Sequence, residues 1–429
     1  MKCTVFKFGG ASVRDPKRIK NVAGIIQQQK RKKLVIVLSA MGKNTNQLEG
    51  YVTDYLKSKK SLGSNLEAFA AQHYVVAQAL DVNPKDLKKK YTKLAKACQA
   101  LLASQKKLDE AYIYDQIVSL GELYSTVLVH NYLSSVGLSV AWLDIRGVLK
   151  TDRSYREGKV DFKKTVKLVS KKIKALTKEA DVIITQGFLG GTADGATTTL
   201  GREGSDYTAA ILAYALGVEE LTVWKDVPGI LTADPRRFDN VELLERLTYR
   251  EAIEMTYYGA KVIHPKTIQP IQNKGIRLKV KSFIHPENKG TVISTQGQLK
   301  YPPIVVIQDD VILLQISSKD FSFISEDHLS FIFEKMRKHK IKLGVMRNSA
   351  ISFTLVILPV KESLLKTFIK DISVLLTVDI TRGLQMMTIR HFQESLLHKL
   401  IQDKVILFEE TLDDTVTMVL KASLEFKEG

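Results

Sequence analysis

At 429 residues, 45% of them hydrophobic, the chain is long enough for about two or three domains with substantial cores. Its two cysteines, Cys3 and Cys98, lack CxxC spacing and cannot form a disulfide framework, while a net charge of +18 raises nucleic acid as a partner. No apolar run approaches the roughly 18 residues of a membrane span, and the chain opens on strand-like sequence without a leader, so the expectation is a cytoplasmic protein with no membrane partner.

The placement of the lysines tests the charge. Between Asp161 and Lys178, Phe162, Val166, Val169, Ile173 and Leu176 form one helical stripe, and Lys163, Lys164, Lys167, Lys171, Lys174 and Lys178 lie off it. That is a solvated face. Asp86 to Lys96 is also lysine-rich, but neither run carries interleaved aromatics or a recognition motif, so no nucleic-acid partner is expected.

In chain order, Thr4 to Phe8 reads as a strand ending in Gly9-Gly10, followed by a helix start at Pro16. Lys7 inside that strand must meet an anion or reach water from a strand end. Leu34 to Leu38 has the continuous apolar character of a parallel strand buried on both faces, and it gives way to Ser39 through Thr45. Ligands in open α/β sheets collect at the carboxyl ends of strands, so the two turns can line one crevice or be ordinary strand-to-helix connections. Residues 46 to 115 read as helices with little chemistry, and Ile117 to Leu133 as one further helix with Glu122 near its start, either a dipole partner or a functional acid.

Val140 to Asp144 and Val182 to Thr185 continue an alternating βα pattern and hence a parallel sheet. From Thr185 to the next helix the chain spends six glycines, a density useful where backbone approaches a ligand or turns with positive φ. Thr197 to Thr199 reads as a strand, Arg202 to Ser205 as the approach to a helix over Asp206 to Leu216, with Ser205 and Asp206 competing as its cap. Val223 to Val227, Pro228-Gly229 and Ala233 to Arg236 follow as a strand and turns. No two glycines are separated by one residue, so there is neither a Rossmann nor a kinase glycine loop. HExxH and His/Cys clusters are also missing, which leaves phosphate chemistry through glycine turns, helix ends and isolated lysines.

These residues carry a resemblance. Lys7-Phe-Gly-Gly-Ala-Ser-Val13, Leu38 through Thr45, Ser119-Leu-Gly-Glu122, Gln186-Gly-Phe188, Thr198 through Asp206, Asp226-Val-Pro-Gly-Ile230, Thr232 through Arg236 and Gly259 through Pro265 resemble the ordered motif set of aspartokinases. The resemblance implies an amino-acid-kinase-type, mainly parallel sheet between helices over residues 1–295, and transfer of the ATP γ-phosphoryl to the side-chain carboxylate of L-aspartate. The product, 4-phospho-L-aspartate, opens the route to lysine, methionine and threonine.

By the same resemblance Lys7 and Lys261 are the cations on the transferring and leaving phosphates, and Asp206 organises them. Arg202 would fork onto a substrate carboxylate and Glu122 accept from the α-ammonium. Thr45, Phe188, Ser205 and Ser39 would complete the aspartate pocket, Ser39 lying along the phosphates with Gly9 and Gly10. Lys225, Asp226, Leu231, Arg236, Lys261 and Val262 match nucleotide-contacting positions, and Mg²⁺ is implied on phosphate oxygens with no all-protein metal site. Three departures stand out: Glu203 replaces a usual Gly, Lys225 a usual Thr, and Leu231 a Tyr.

Pro286 to Pro303 reads as a domain connection. Residues 296–429 then resemble an α+β regulatory region of two ACT-like modules (βαββαβ), whose sheet edges fit a homodimer or higher homo-oligomer. Strands are expected at Val311–Ile316, Ile341–Val345, Ile351–Val356, Val374–Ile380, Val405–Glu409 and Val416–Leu420, with helices at Asp327–His339, Leu364–Ile372 and Thr388–Ile401. The resemblance places an effector near Met346 and Ser349, lysine first and threonine second. Two other functions stay open: another amino-acid kinase, such as a glutamate kinase, or a catalytically silent amino-acid sensor.

Overall fold

The computed structural model describes residues 3–29, 33–104, 109–260, 263–298, 300–320 and 322–422. The chain divides into two compact units, one of residues 1–230, 243–253 and 262–298, the other of residues 231–242, 254–261 and 299–429. None of the described helices is long and apolar enough to cross a membrane.

In chain order the strands of the first unit are β1 (Cys3–Phe8), β2 (Lys33–Leu38), β3 (Val140–Leu143), β4 (Val182–Gln186), β5 (Leu189–Gly191), β6 (Thr197–Thr199), β7 (Glu220–Lys225), β8 (Arg246–Thr248), β9 (Arg277–Ser282) and β10 (Thr291–Ser294). Eight of them form one sheet in the order β3-β4-β2-β1-β7-β9-β10-β8. All neighbours run parallel except β9 and β10, and β5 and β6 make a separate antiparallel pair. The buried run Leu34–Leu38 lies between β1 and β4, as an apolar strand covered on both faces should. Lys7 is in a central strand, opposite Val37 on one side and Val223 on the other.

Local sequence explains the helix Phe162–Leu176. Asp161 caps it by accepting from Lys164 N–H, and Thr165, Val169 and Ile173 are buried while the lysines stay outside. Elsewhere the structure departs from the sequence reading. The expected helix Ile117–Leu133 is two helices, Glu110–Val118 and Leu120–Ser135. Ser119 joins them, its hydroxyl donating to Gln116 O at 2.9 Å. Neither Ser205 nor Asp206 caps the helix Gly204–Leu216. The cap position is Glu203, left-handed at φ 53°, and no side chain caps it. Within the expected connection 286–303, residues 291–294 pair with β8 and β9, with Thr291 and Ile293 fully buried.

The second unit holds a six-stranded antiparallel sheet of β11 (Ile304–Ser318), β12 (Leu343–Asn348), β13 (Ser352–Ile357), β14 (Leu376–Arg390), β15 (Lys404–Leu412) and β16 (Thr415–Ala422), in the order β12-β13-β11-β14-β16-β15. Helices Glu326–Lys338 and Glu362–Ile372 pack on one end, where Leu314, Ile316, Ile332, Phe353, Leu365 and Phe368 belong to one core. Helix Glu394–Ile401 serves a second core around Val305, Met387, Ile389, Val416 and Met418. The two ACT-like modules are therefore nested. The long strands β11 and β14 pass through both, pairing Ile304–Gln308 with Met386–Arg390 in one module and Leu313–Ser318 with Leu376–Thr381 in the other. This corrects the expected helix Thr388–Ile401, because Thr388, Ile389 and Arg390 still pair with β11 and β16.

Candidate active site

The carboxyl ends of β1, β2, β4 and β7 converge, and backbone hydrogen bonds knit their turns together. Ser39 N–H donates to Phe8 O at 3.2 Å, Gly42 N–H to Gly10 O at 3.0 Å, and Gly187 N–H to Leu38 O at 2.8 Å. Two glycines are required by close approach. A Cβ on Gly10 would lie 2.7 Å from Ala40 O, and one on Gly187 would lie 2.5 Å from Ser205 Cβ. Gly187→Ala is accordingly expected to push the start of the helix Gly204–Leu216 away and lower the thermal unfolding midpoint by several degrees; an unchanged midpoint would mean the turn has slack.

Asp206, in the first turn of that helix, is 2% exposed. Its Oδ1 is 2.6 Å from Lys7 Nζ and its Oδ2 3.6 Å from Lys225 Nζ. Burial alone would raise the Asp206 pKa, but the Lys7 and then the Lys225 ammonium hold it below the ordinary carboxylate value. A Cβ on Gly9 would lie 3.4 Å from Lys7 Nζ, so the ammonium stands directly beside the turn.

Glu122 lies in the first turn of Leu120–Ser135 and is buried. Ala40 N–H donates to its Oε1 at 3.3 Å, and Oε2 has no hydrogen-bond partner among the described residues. Burial pushes its pKa up to about 8, against the lowering effect of that hydrogen bond. Among the described residues no cation pairs with this carboxyl group.

Around these groups, Ser205 is buried, and Ser39, Thr45 and Phe188 are half-buried, as are Gly9 and Gly10. Phe188 has φ 68°, and its N–H is held by Thr208 Oγ1 at 3.0 Å. Arg202 is exposed and has no acidic partner among the described residues. Asp226 is exposed. Leu231 and Arg236 belong to the second unit, where Arg236 pairs with Asp234 at 2.6 Å. Met346 and Ser349 are exposed on or beside β12. Lys261 and Val262 lie outside the described residues.

Three features escaped the sequence reading. Lys225 meets Asp206 with its side chain. Glu203, read as an added anion, spends Oε2 on His264 N–H at 3.1 Å. Asp115 and Gln116, fully buried on Glu110–Val118, anchor β6: Asp115 accepts from Thr199 N–H at 2.9 Å, Thr199 Oγ1 at 2.7 Å and Arg156 N–H at 2.9 Å, while Gln116 binds Thr197 through both N–H and C=O. Two adjacent polar residues between Tyr112-Ile-Tyr114 and Ile117-Val118 were the available signal.

Residues 2–282 match the model of the amino acid kinase family, and the chain belongs to that family. Its kinship within the family is with aspartate kinases. Lysine-sensitive aspartokinase 3 of Escherichia coli is 29% identical over 394 residues, 90% of this chain and 86% of the relative. Chloroplastic aspartokinase 2 of Arabidopsis thaliana is 33% identical over 371 residues, 83% of this chain and 66% of the relative. The crystal structure of E. coli aspartokinase III with aspartate and ADP, in its R-state, superposes with a TM-score of 0.81 at 26% identity, over 98% of this chain and 96% of that one. The T-state complex of the same enzyme with lysine and aspartate gives the same values.

Proposed function

We propose that the chain transfers the γ-phosphoryl group of ATP to the side-chain carboxylate of L-aspartate, giving 4-phospho-L-aspartate and ADP, with residues 1–295 catalytic and 296–429 regulatory. The observation that carries this reading is the buried Asp206 carboxylate presenting ammonium groups beside the Gly9-Gly10 turn. The aspartate carboxylate is already a competent nucleophile, so an oxygen–phosphorus bond forms at Pγ while the bond to the bridging oxygen breaks and its electron pair leaves with ADP. No proton moves. Catalysis then consists of alignment and charge neutralisation, with Lys7 and Lys261 on the phosphates, Gly9, Gly10 and Ser39 along them, and Asp226, Leu231, Arg236 and Val262 toward the nucleotide. Glu122 receives the substrate α-ammonium, which supplies the partner Oε2 lacks. Arg202 forks onto the α-carboxylate, and Thr45, Phe188 and Ser205 close the pocket.

Among the described residues no cluster of three His, Cys, Asp or Glu side chains could hold a metal ion. Mg²⁺ enters this proposal on nucleotide phosphate oxygens, where it offsets their charge. Release of ADP from MgATP should require L-aspartate. L-glutamate in its place would select a glutamate kinase, and turnover with neither amino acid a sensor.

The regulatory reading takes L-lysine as effector near Met346 and Ser349, and a homodimer or higher oligomer built on the second unit's sheet. It is supported by the lysine sensitivity of the E. coli relative and its lysine complex. Lysine is expected to inhibit in the steady-state assay and Ser349→Leu to weaken that inhibition at least tenfold. Inhibition by threonine instead, or an unchanged lysine response in the variant, would overturn the assignment.

A further inference from the structure

Lys225 occupies the last position of β7, one residue beyond the Phe8–Trp224 pairing that ends the β1–β7 ladder. Two residues past Val223, the register partner of Lys7, it projects to the same side of the sheet as Lys7. Its backbone is fixed there: β9 pairs Ser282 with it, and Phe283 N–H donates to its C=O at 2.9 Å. The two lysines therefore stand on adjacent parallel strands, and Asp206 takes one with each carboxylate oxygen, at 2.6 and 3.6 Å.

One carboxylate between two ammonium groups leaves the trio with an excess positive charge. Were Lys225 present only to neutralise Asp206, that task would already be done by Lys7, the closer of the two and itself buried. The Lys225 side chain retains 20% of its exposure, and its backbone follows directly on the Phe8–Trp224 pair, where β1 gives way to Gly9. A second ammonium beside Lys7, sharing its carboxylate and partly exposed, adds positive charge where the kinase reading puts the phosphates.

We propose that Lys225 is a further catalytic residue of the phosphoryl transfer, its ammonium acting with that of Lys7 as a two-point clamp on the nucleotide phosphate chain, with Asp206 holding the pair at fixed separation. This rests on the kinase reading above and extends it from a position matched to the nucleotide to a side chain that acts on the phosphates. As the bond from Pγ to the bridging oxygen breaks, negative charge moves onto the β-phosphate. Two ammonium groups set in advance follow that movement without reorganising. Lys225 stays protonated throughout, so the transfer remains balanced without it.

The test compares Lys225→Thr and Lys225→Arg with the unaltered full-length protein by steady-state kinetics and by calorimetric titration with MgADP. Lys225→Thr is expected to raise the MgATP KM and lower kcat, together at least 30-fold in kcat/KM for MgATP. MgADP binding should weaken at least fivefold, the aspartate KM should stay within twofold, and Lys225→Arg should recover part of each loss. A Lys225→Thr protein with unchanged nucleotide kinetics and MgADP affinity would reduce Lys225 to a structural partner of Asp206 and overturn the proposal. If the unaltered protein releases no ADP with aspartate, the kinase reading fails separately, and the MgADP titration still decides whether Lys225 meets phosphate.

Discussion

Lys7→Ala is expected to lower kcat by roughly 10²–10³-fold or more, the range seen when one preorganised transition-state donor is removed. The residue sits in a central strand whose ladder to β2 and β7 is made by backbone, so the substitution leaves the sheet's hydrogen bonds intact. What it removes is the ammonium 2.6 Å from Asp206 and beside the Gly9-Gly10 turn. Breaking a buried pair by deleting one partner can cost about 3–5 kcal/mol of stability. Here Lys225 remains 3.6 Å from the same carboxylate, which reduces that cost. The variant should therefore fold, show native circular dichroism and bind aspartate, while turnover collapses. Near-normal turnover in a folded Lys7→Ala protein would remove Lys7 from the phosphates.

Glu122→Gln is the second large effect, and it has two parts with opposite signs. Loss of the carboxylate that would meet the substrate ammonium should raise the aspartate KM by roughly 10–100-fold, since a hydrogen bond to a charged group contributes about 1.5–3 kcal/mol. Stability should move the other way. Burial raises the folded pKa of Glu122 from 4.5 to about 8, so between those values the folded protein keeps a proton that the unfolded chain has released. The unfolded state then binds fewer protons, and stability falls as pH rises through that window. Glutamine cannot ionise, so thermal unfolding of Glu122→Gln should gain on the unaltered protein from about pH 5 to pH 8. Binding obeys the same proton: the unaltered protein's aspartate KM should decrease as pH approaches 8. A pH-independent difference between the two unfolding midpoints would show that Glu122 titrates normally.

How much of this was legible in the sequence depended on whether the signal was local. The stripe from Phe162 to Leu176, the apolar run Leu34–Leu38 and the strand carrying Lys7 are short-range patterns, and each forms the element expected. Lys7 alone posed an electrostatic problem, and its ion pair with Asp206 solves it. Nesting of the two modules was not legible, because β11 and β14 satisfy a strand pattern without revealing that each serves two cores. No element was expected over the helix Pro265–Gln272, which carries Pro270 inside it, where proline removes a donor and argues against helix. Lys225 looked like an isolated departure within the expected strand Val223–Val227. Only the register between β1 and β7, a contact across more than two hundred residues, brings it beside Lys7, with which it shares Asp206. The polar pair Asp115-Gln116 is similar, since its partners at Thr197 and Thr199 are remote in sequence.

Trapping the acyl phosphate shows whether phosphate is delivered to the side-chain carboxylate of aspartate. With MgATP, L-aspartate and hydroxylamine, mass spectrometry should identify aspartate β-hydroxamate in proportion to the ADP released, and Lys7→Ala should abolish both. ADP released without the hydroxamate, or glutamate hydroxamate formed in preference to it, would rule out transfer to the aspartate side chain.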